Sequence, residues 1–148
     1  MKYGCIGEHL SHSFSKEIHA LIADYDYEIC EIPREELDAF MKKKDFRAIN
    51  VTIPYKEAVI PYLDTISGEA AKIGAVNTIV NRDGKLYGYN TDFFGMTALI
   101  KKCGIELENK KVAVLGSGGT SRTAFAVSES LGAERTLRVS RTAKDGAI

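Results

Sequence analysis

The sequence predicts an α/β protein, with a mostly parallel sheet followed by one further βαβ unit. Three observations predict it. Strand-like and helix-like stretches alternate from residue 3 to residue 52. An Asp83-Gly84 pair separates two strand-like runs. A glycine turn, Gly116-Ser117-Gly118-Gly119, stands between an apolar strand and a helix. Such alternation argues for parallel pairing, because parallel strands need a crossover connection that is usually helical.

Tyr3 to Gly7 is a short apolar run ending in glycine, a first strand. Phe14 to Ala23 places Phe14, Ile18, Leu21 and Ile22 near helical spacing, with Ser13 or Ser15 available as a cap. Tyr27 to Ile32 alternates as a strand, and Pro33 then opens a helix carrying Leu37, Phe40 and Met41. Ala48 to Thr52 is a third strand, closed by Pro54. A short helical stretch comes after Pro54, and a second lies beyond Pro61, near Glu69 to Ile73. Ala75 to Asn81 and Lys85 to Asn90 flank Arg82-Asp83-Gly84, a hairpin signal. Thr91 to Lys102 reads as a helix, with Asn90 or Thr91 near its cap and Gly104 after its end. Ile105 to Asn109 is a polar link. Lys110 to Leu115 is a strand of the fully buried type, Gly118 to Leu131 a helix stopped by Gly132, and Thr136 to Val139 a last strand. The natural boundary falls near Gly104 to Asn109, and the stretch beyond it has the size of one βαβ unit.

Composition narrows the function classes. The chain has 148 residues, enough for one ordinary domain or one domain plus part of a second. Its 20 basic and 20 acidic residues cancel, so no nucleic-acid or anionic-membrane partner is expected. Met1 to Glu8 does not read as a signal peptide, and no apolar stretch approaches the roughly 20 residues of a membrane span. Cys5, Cys30 and Cys103 are scattered without a Cys-x-x-Cys, which predicts buried thiols in a reduced, cytoplasmic setting.

Val112 to Ser121 has the order strand, glycine turn, helix, the context a dinucleotide fingerprint requires. Gly116 permits the tight turn, and Gly118 lets a pyrophosphate approach the backbone. Ser121 stands where a third glycine or alanine would keep helix and strand close. With Ser117, Gly119 and Thr120 they form the candidate phosphate cradle, beside the free N–H groups of a helix start. NAD binders usually place a carboxylate at the end of the next strand. Here that strand ends Val139-Ser140-Arg141-Thr142. Arg141 can fork onto a 2′-phosphate and Ser140 and Thr142 can donate to it, so NADP is the expected cofactor. Arg138 and Arg122 are secondary candidates for that charge.

The first hundred residues hold the other candidates. Ser13 and Ser15, two apart at a helix start, suit a carboxylate, although serines there are ordinarily caps. Lys56 comes after a strand end in a Pro-fixed loop, where α/β sheets bind ligands, although an isolated Lys is ordinarily a surface group. Asp92 opens a helix, where an acid is favoured by the dipole alone. Asn77 is polar within an apolar strand and needs a partner or a ligand. His9, His12 and His19 have no acidic or cysteine partner at matching spacing, so no metal is expected.

Five segments together resemble the shikimate dehydrogenase family: His12-Ser13-Phe14-Ser15, Asn50-Val51-Thr52-Ile53-Pro54-Tyr55-Lys56, Gly74-Ala75-Val76-Asn77-Thr78, Asn90-Thr91-Asp92 and Gly116-Ser117-Gly118-Gly119. They occur in the family's order and at about its spacing. The resemblance implies a three-layer substrate domain with a mostly parallel sheet over residues 1–105, then an incomplete Rossmann-type NADP-binding unit over 106–148. It implies that Ser13 and Ser15 hold the substrate carboxylate, that Thr52 and Asn77 bind ring hydroxyls, and that Lys56 and Asp92 form the catalytic pair. Gly116 to Ser121 would hold the pyrophosphate, and Ser140, Arg141 and Thr142 the 2′-phosphate. The implied reaction reduces 3-dehydroshikimate to shikimate with NADPH, reversibly. The family commonly has Pro where His9 and Lys16 stand, and Asn where Ser140 stands. Its members continue for roughly a hundred residues beyond the end of this chain, as a complete cofactor domain requires. Residues after about Asn109 are therefore expected to be mobile, cleaved short of a full domain, or covered by another copy, which admits a homodimer. Two rival readings stand beside this one: a quinate/shikimate dehydrogenase using NAD or NADP, and a fragment that binds shikimate without turnover.

Overall fold

The computed structural model describes residues 1–11 and 13–140. In chain order the elements are β1 (Tyr3–Gly7), α1 (Ser15–Ile22), β2 (Tyr27–Glu31), α2 (Leu37–Lys43), β3 (Ala48–Val51), β4 (Thr65–Ile66), α3 (Gly68–Ile73), β5 (Thr78–Arg82), β6 (Lys85–Tyr89), α4 (Asp92–Lys102), β7 (Lys111–Leu115), α5 (Gly119–Ser130) and β8 (Arg135–Val139). Six strands form one sheet in the order β2-β1-β3-β5-β6-β4, and β7 and β8 form a second. β1 pairs in parallel with β2 and β3, β4 with β6, and β7 with β8. β5 alone runs against its neighbours β3 and β6, which makes the sheet mixed but mainly parallel.

The strand pleat sorts the side chains. Ile6, Ile49 and Val51 point to one face, where α2 buries Leu37 and Met41, one turn apart, with Phe46, Tyr55 and Val59. Cys5 and Tyr27 point to the other face and pack with Leu10. The helix expected from Pro33 begins as a 3-10 turn, Arg34–Glu36, and becomes α-helical at Leu37. The stretch after Pro54 is a series of turns ending in the 3-10 segment Ile60–Tyr62. β4 is two residues long, too short to leave a pattern in the sequence. The hairpin forms as expected: Asp83 and Gly84 have φ of 53° and 82°, as a two-residue turn with both central residues left-handed demands. Gly104 and Gly132, at φ of 65° and 79°, come just after α4 and α5.

Four expectations need correction. The stripe Phe14, Ile18, Leu21, Ile22 marks a helix, but it faces solvent, and α1 buries none of its residues. That helix meets the sheet along Ser15 and His19, one turn apart; the His19 ring stacks on Tyr27 at 3.8 Å and its Nδ1 bonds the Tyr25 hydroxyl. No serine caps it in the usual way: Phe14 holds the cap position, and Ser13 Oγ accepts the Ser15 N–H at 3.3 Å. β7 is not fully buried, since α5 packs on one face only; Val114 is covered while Leu115, on the opposite face, is 80% exposed. Of the cysteines, only Cys5 is buried, and Cys103 is exposed at the end of α4.

Candidate active site

The loop after β3 is fixed by backbone bonds on both sides. Thr52 N–H donates to Ile6 O at 2.9 Å, and Glu8 N–H donates to Ile53 O at 3.3 Å. The Ile53–Pro54 bond is cis. A Cβ on Gly7 would lie 2.8 Å from both Leu10 Cδ2 and Thr52 Cγ2, so a larger residue here would push these side chains aside. Tyr55 is buried in the core, where its hydroxyl donates to Ile32 O. Lys56, the next residue, accepts the Val76 N–H on its carbonyl at 2.7 Å and sends Nζ to within 2.5 Å of Asp92 Oδ2. The Lys56 side chain is 13% exposed and that of Asp92 35%, so the ammonium is largely enclosed while the carboxylate stays partly open.

Asp92 is placed by its neighbours. Asn90 Oδ1 accepts the Phe93 N–H at 3.2 Å, acting as the cap of α4, and Asn90 Nδ2 donates to Ala75 O at 3.0 Å. Asn77 ties the same turn to the sheet: its Oδ1 accepts the Thr91 N–H and its Nδ2 donates to Thr91 Oγ1, both at 2.9 Å. The first-turn carboxylate also sits favourably in the helix dipole. Asn77 thus finds the partner its buried polarity requires.

A line of hydrogen bonds crosses the sheet to this point. The Tyr27 hydroxyl donates to Asn50 Oδ1 at 2.7 Å, Asn50 Nδ2 to Thr78 Oγ1 at 3.2 Å, and Thr78 Oγ1 to Asn77 Oδ1 at 3.1 Å. Burial, with Cys5 and Tyr25 nearby, raises the Tyr27 phenol above its ordinary range, against a smaller opposing pull from the Ser15 hydroxyl. Tyr27 therefore remains a donor. Burial likewise pushes the Cys5 thiol up, opposed by the Lys56 charge and the Ser15 hydroxyl. Ser13 Oγ donates to Ser15 Oγ at 3.1 Å. Thr52 follows β3 and bonds Ile6 O in β1, Asn77 O accepts the Val51 N–H at the end of β3, and Asn77 also holds Thr91, beside the Asp92 that Lys56 meets; Ser13 and Ser15 bond each other in the segment after β1. His12 lies outside the described residues. The sequence assigned no site role to Cys5 or Tyr27, nor to Asn50, Thr78 and Thr91 beyond their motifs and the place of Thr91 near a helix cap. The sequence shows Asn50 and Thr78 only as polar residues within strand-like runs; that they stand directly opposite is a matter of register.

The glycine turn borders the same place. Gly116 has φ of 122°, open only to glycine. Gly118 caps α5 in an extended conformation, with open space where a Cβ would stand. A Cβ on Gly119 would sit 3.4 Å from Lys56 Cδ. The three glycines of the turn, with Thr120, Ile53, Pro54, Lys56 and Leu115, line one cleft of about 390 Å³. The Ser121 hydroxyl is turned inward, donating to Gly118 O at 2.7 Å. Ser117 is half-buried in the turn, and Ser140 is half-buried just past β8. Arg141 and Thr142 lie outside the described residues. The secondary candidates are engaged elsewhere: Arg138 lies over the Phe125 ring at 5.3 Å, and Arg122 Nη2 is 3.2 Å from Glu57 Oε2.

A mainly parallel sheet with a Lys–Asp pair at its strand ends, abutting a Rossmann-type βαβ unit, defines a class: α/β proteins that pair a substrate-binding domain with a nucleotide-binding fold. A family profile described as the shikimate dehydrogenase substrate binding domain matches residues 5–79. The chain belongs to the shikimate dehydrogenase family. Shikimate dehydrogenase (NADP(+)) of Clostridium beijerinckii is 42% identical over 96% of this chain and 56% of the relative. Among solved structures, shikimate dehydrogenase 1 of Peptoclostridium difficile superimposes with a TM-score of 0.88 at 41% identity, covering 98% of this chain and 57% of that one. The Thermus thermophilus enzyme in complex with NADP(H) and shikimate gives a TM-score of 0.85 at 35% identity, covering 96% and 56%. The chain therefore spans about half the length of the relatives it matches.

Proposed function

We propose that this chain carries the substrate site and catalytic pair of an NADP-linked shikimate dehydrogenase. The reaction is 3-dehydroshikimate + NADPH + H⁺ to shikimate + NADP⁺, and it runs in both directions. The observation that carries this reading is the Lys56–Asp92 pair, 2.5 Å apart, beside the glycine turn. Residues 1–105 act as the substrate domain and 106–148 as the start of the cofactor domain.

Ser13 and Ser15 take the substrate carboxylate through their hydroxyls. Thr52 and Asn77 bond ring hydroxyls, with Asn50 and Thr78 fixing the Asn77 amide. Lys56 gives a proton to the keto oxygen as that carbon is reduced, and takes it back in reverse. Asp92 aims the ammonium and accepts a hydroxyl from the ring. The turn suits NADP, because it offers an open backbone at Gly118 and free N–H groups at the start of α5. When bound, NADP supplies or receives the hydride at its nicotinamide. Ser140, Arg141 and Thr142 are assigned to its 2′-phosphate.

The test pairs two measurements on one sample: calorimetry with shikimate, and shikimate-dependent reduction of NADP. Binding with turnover supports the full reading. Binding without turnover leaves a shikimate-binding chain and removes the dehydrogenase activity from it. No binding removes the reading altogether.

A further inference from the structure

We infer that Arg122 and Glu57 form a positioning strut that holds the glycine turn in register with the Lys56 loop, a role that presupposes the dehydrogenase reading above. Arg122 stands one turn into α5, the helix whose start forms the end of the glycine turn. Its Nη2 lies 3.2 Å from Oε2 of Glu57, the residue directly after Lys56. Its Nη1 lies against Gly74, where a Cβ would be 3.4 Å away. Gly74 ends α3 at φ of 68° and leads into Val76, whose N–H holds the Lys56 carbonyl at 2.7 Å. The guanidinium therefore touches both segments that anchor Lys56. Of the ion pairs among the described residues, this one joins α5 to the loops of the six-stranded sheet. Both side chains are partly exposed, at 30% and 49%, so the pair adds little to stability and its value is geometric.

The consequence is thermodynamic coupling. A nucleotide seated on the turn and a substrate seated beside Lys56 each favour the same relative placement of the two units, so each tightens the other. Breaking the strut removes that help.

The experiment titrates NADP into the full chain by calorimetry, with and without saturating shikimate, for wild type, Glu57→Arg, Arg122→Glu and the double exchange. Melting curves check that each variant folds. With shikimate present, each single variant is expected to bind NADP about tenfold more weakly, and the double exchange to return to near the wild-type value. A plain charge effect would move the single variants in opposite directions, because one makes the cleft more positive and the other more negative. Loss of register moves both the same way. Opposite shifts, unchanged affinities, or a double variant as weak as the singles would overturn the strut while leaving shikimate binding intact. Wild-type chain that takes up no shikimate would instead overturn the proposed function, and this inference with it.

Discussion

Lys56 owes its placement to neighbours on three sides: Val76 at its carbonyl, Asp92 at its ammonium and Gly119 along its stem. Lys56→Ala should leave the fold and the serine pair intact while removing the proposed proton donor. The expected result is a fall in kcat of about 10²- to 10⁴-fold with little change in the calorimetric Kd for shikimate. Turnover near normal would dismiss the assignment. Asn77 is a different case, because its side chain serves the fold as well as its proposed ligand. Asn77→Ala strands the Thr91 amide and the Thr78 hydroxyl, and should cost about 1–3 kcal/mol, read as a lower urea midpoint at unchanged slope. The meeting of Lys56 with Asp92 was legible in advance because their motifs are specific to a family. The Asn50–Thr78–Asn77 line was not, because it depends on strand register, and register arises between segments far apart in sequence.

At the scale of elements, α1 and α2 differ in a way their spacing does not reveal. Both carry apolar residues at helical intervals, yet α2 presents them to the core and α1 to solvent. Met41→Ala should cost about 2–5 kcal/mol, while Leu21→Ala should stay within about 0.5 kcal/mol, as equilibrium denaturation would show. Local periodicity identifies a helix; which face is buried depends on the ring stacking of His19 on Tyr27, a contact between elements. Turns fared better, because Asp83-Gly84 and Gly104 state their conformations locally. β6 is pinned by Asp64, whose Oδ2 accepts the Leu86 N–H at 2.8 Å. That bond, with help from Lys44, holds the carboxyl below its ordinary range. A depressed carboxyl adds stability above its unfolded pKa and loses it as the pH falls through the folded value. The melting-temperature gap between wild type and Asp64→Asn should therefore be full above about pH 5 and close on acidification. A gap that widened in acid would contradict the assigned bond.

For the molecule as a whole, the α/β order and the mainly parallel sheet were readable from alternation and glycine turns. The burial of β7 was not, because an apolar run reports what a strand can bury and says nothing of how many layers cover it. Nor did spacing reveal that the glycine turn would stand against the stem of Lys56, since that proximity belongs to the docking of two sheets. Helix α4 hands the amide of Thr91 to a side chain from outside the helix, Asn77. That proton leaves for deuterated water when its bond to Asn77 opens. Its exchange rate is thus a clock for the contact between Asn77 and the start of α4, legible by magnetic resonance with no turnover at all. A ligand that bridges Asn77 and Asp92 should slow that clock, while protons on the solvent-facing side of α1 keep their own time.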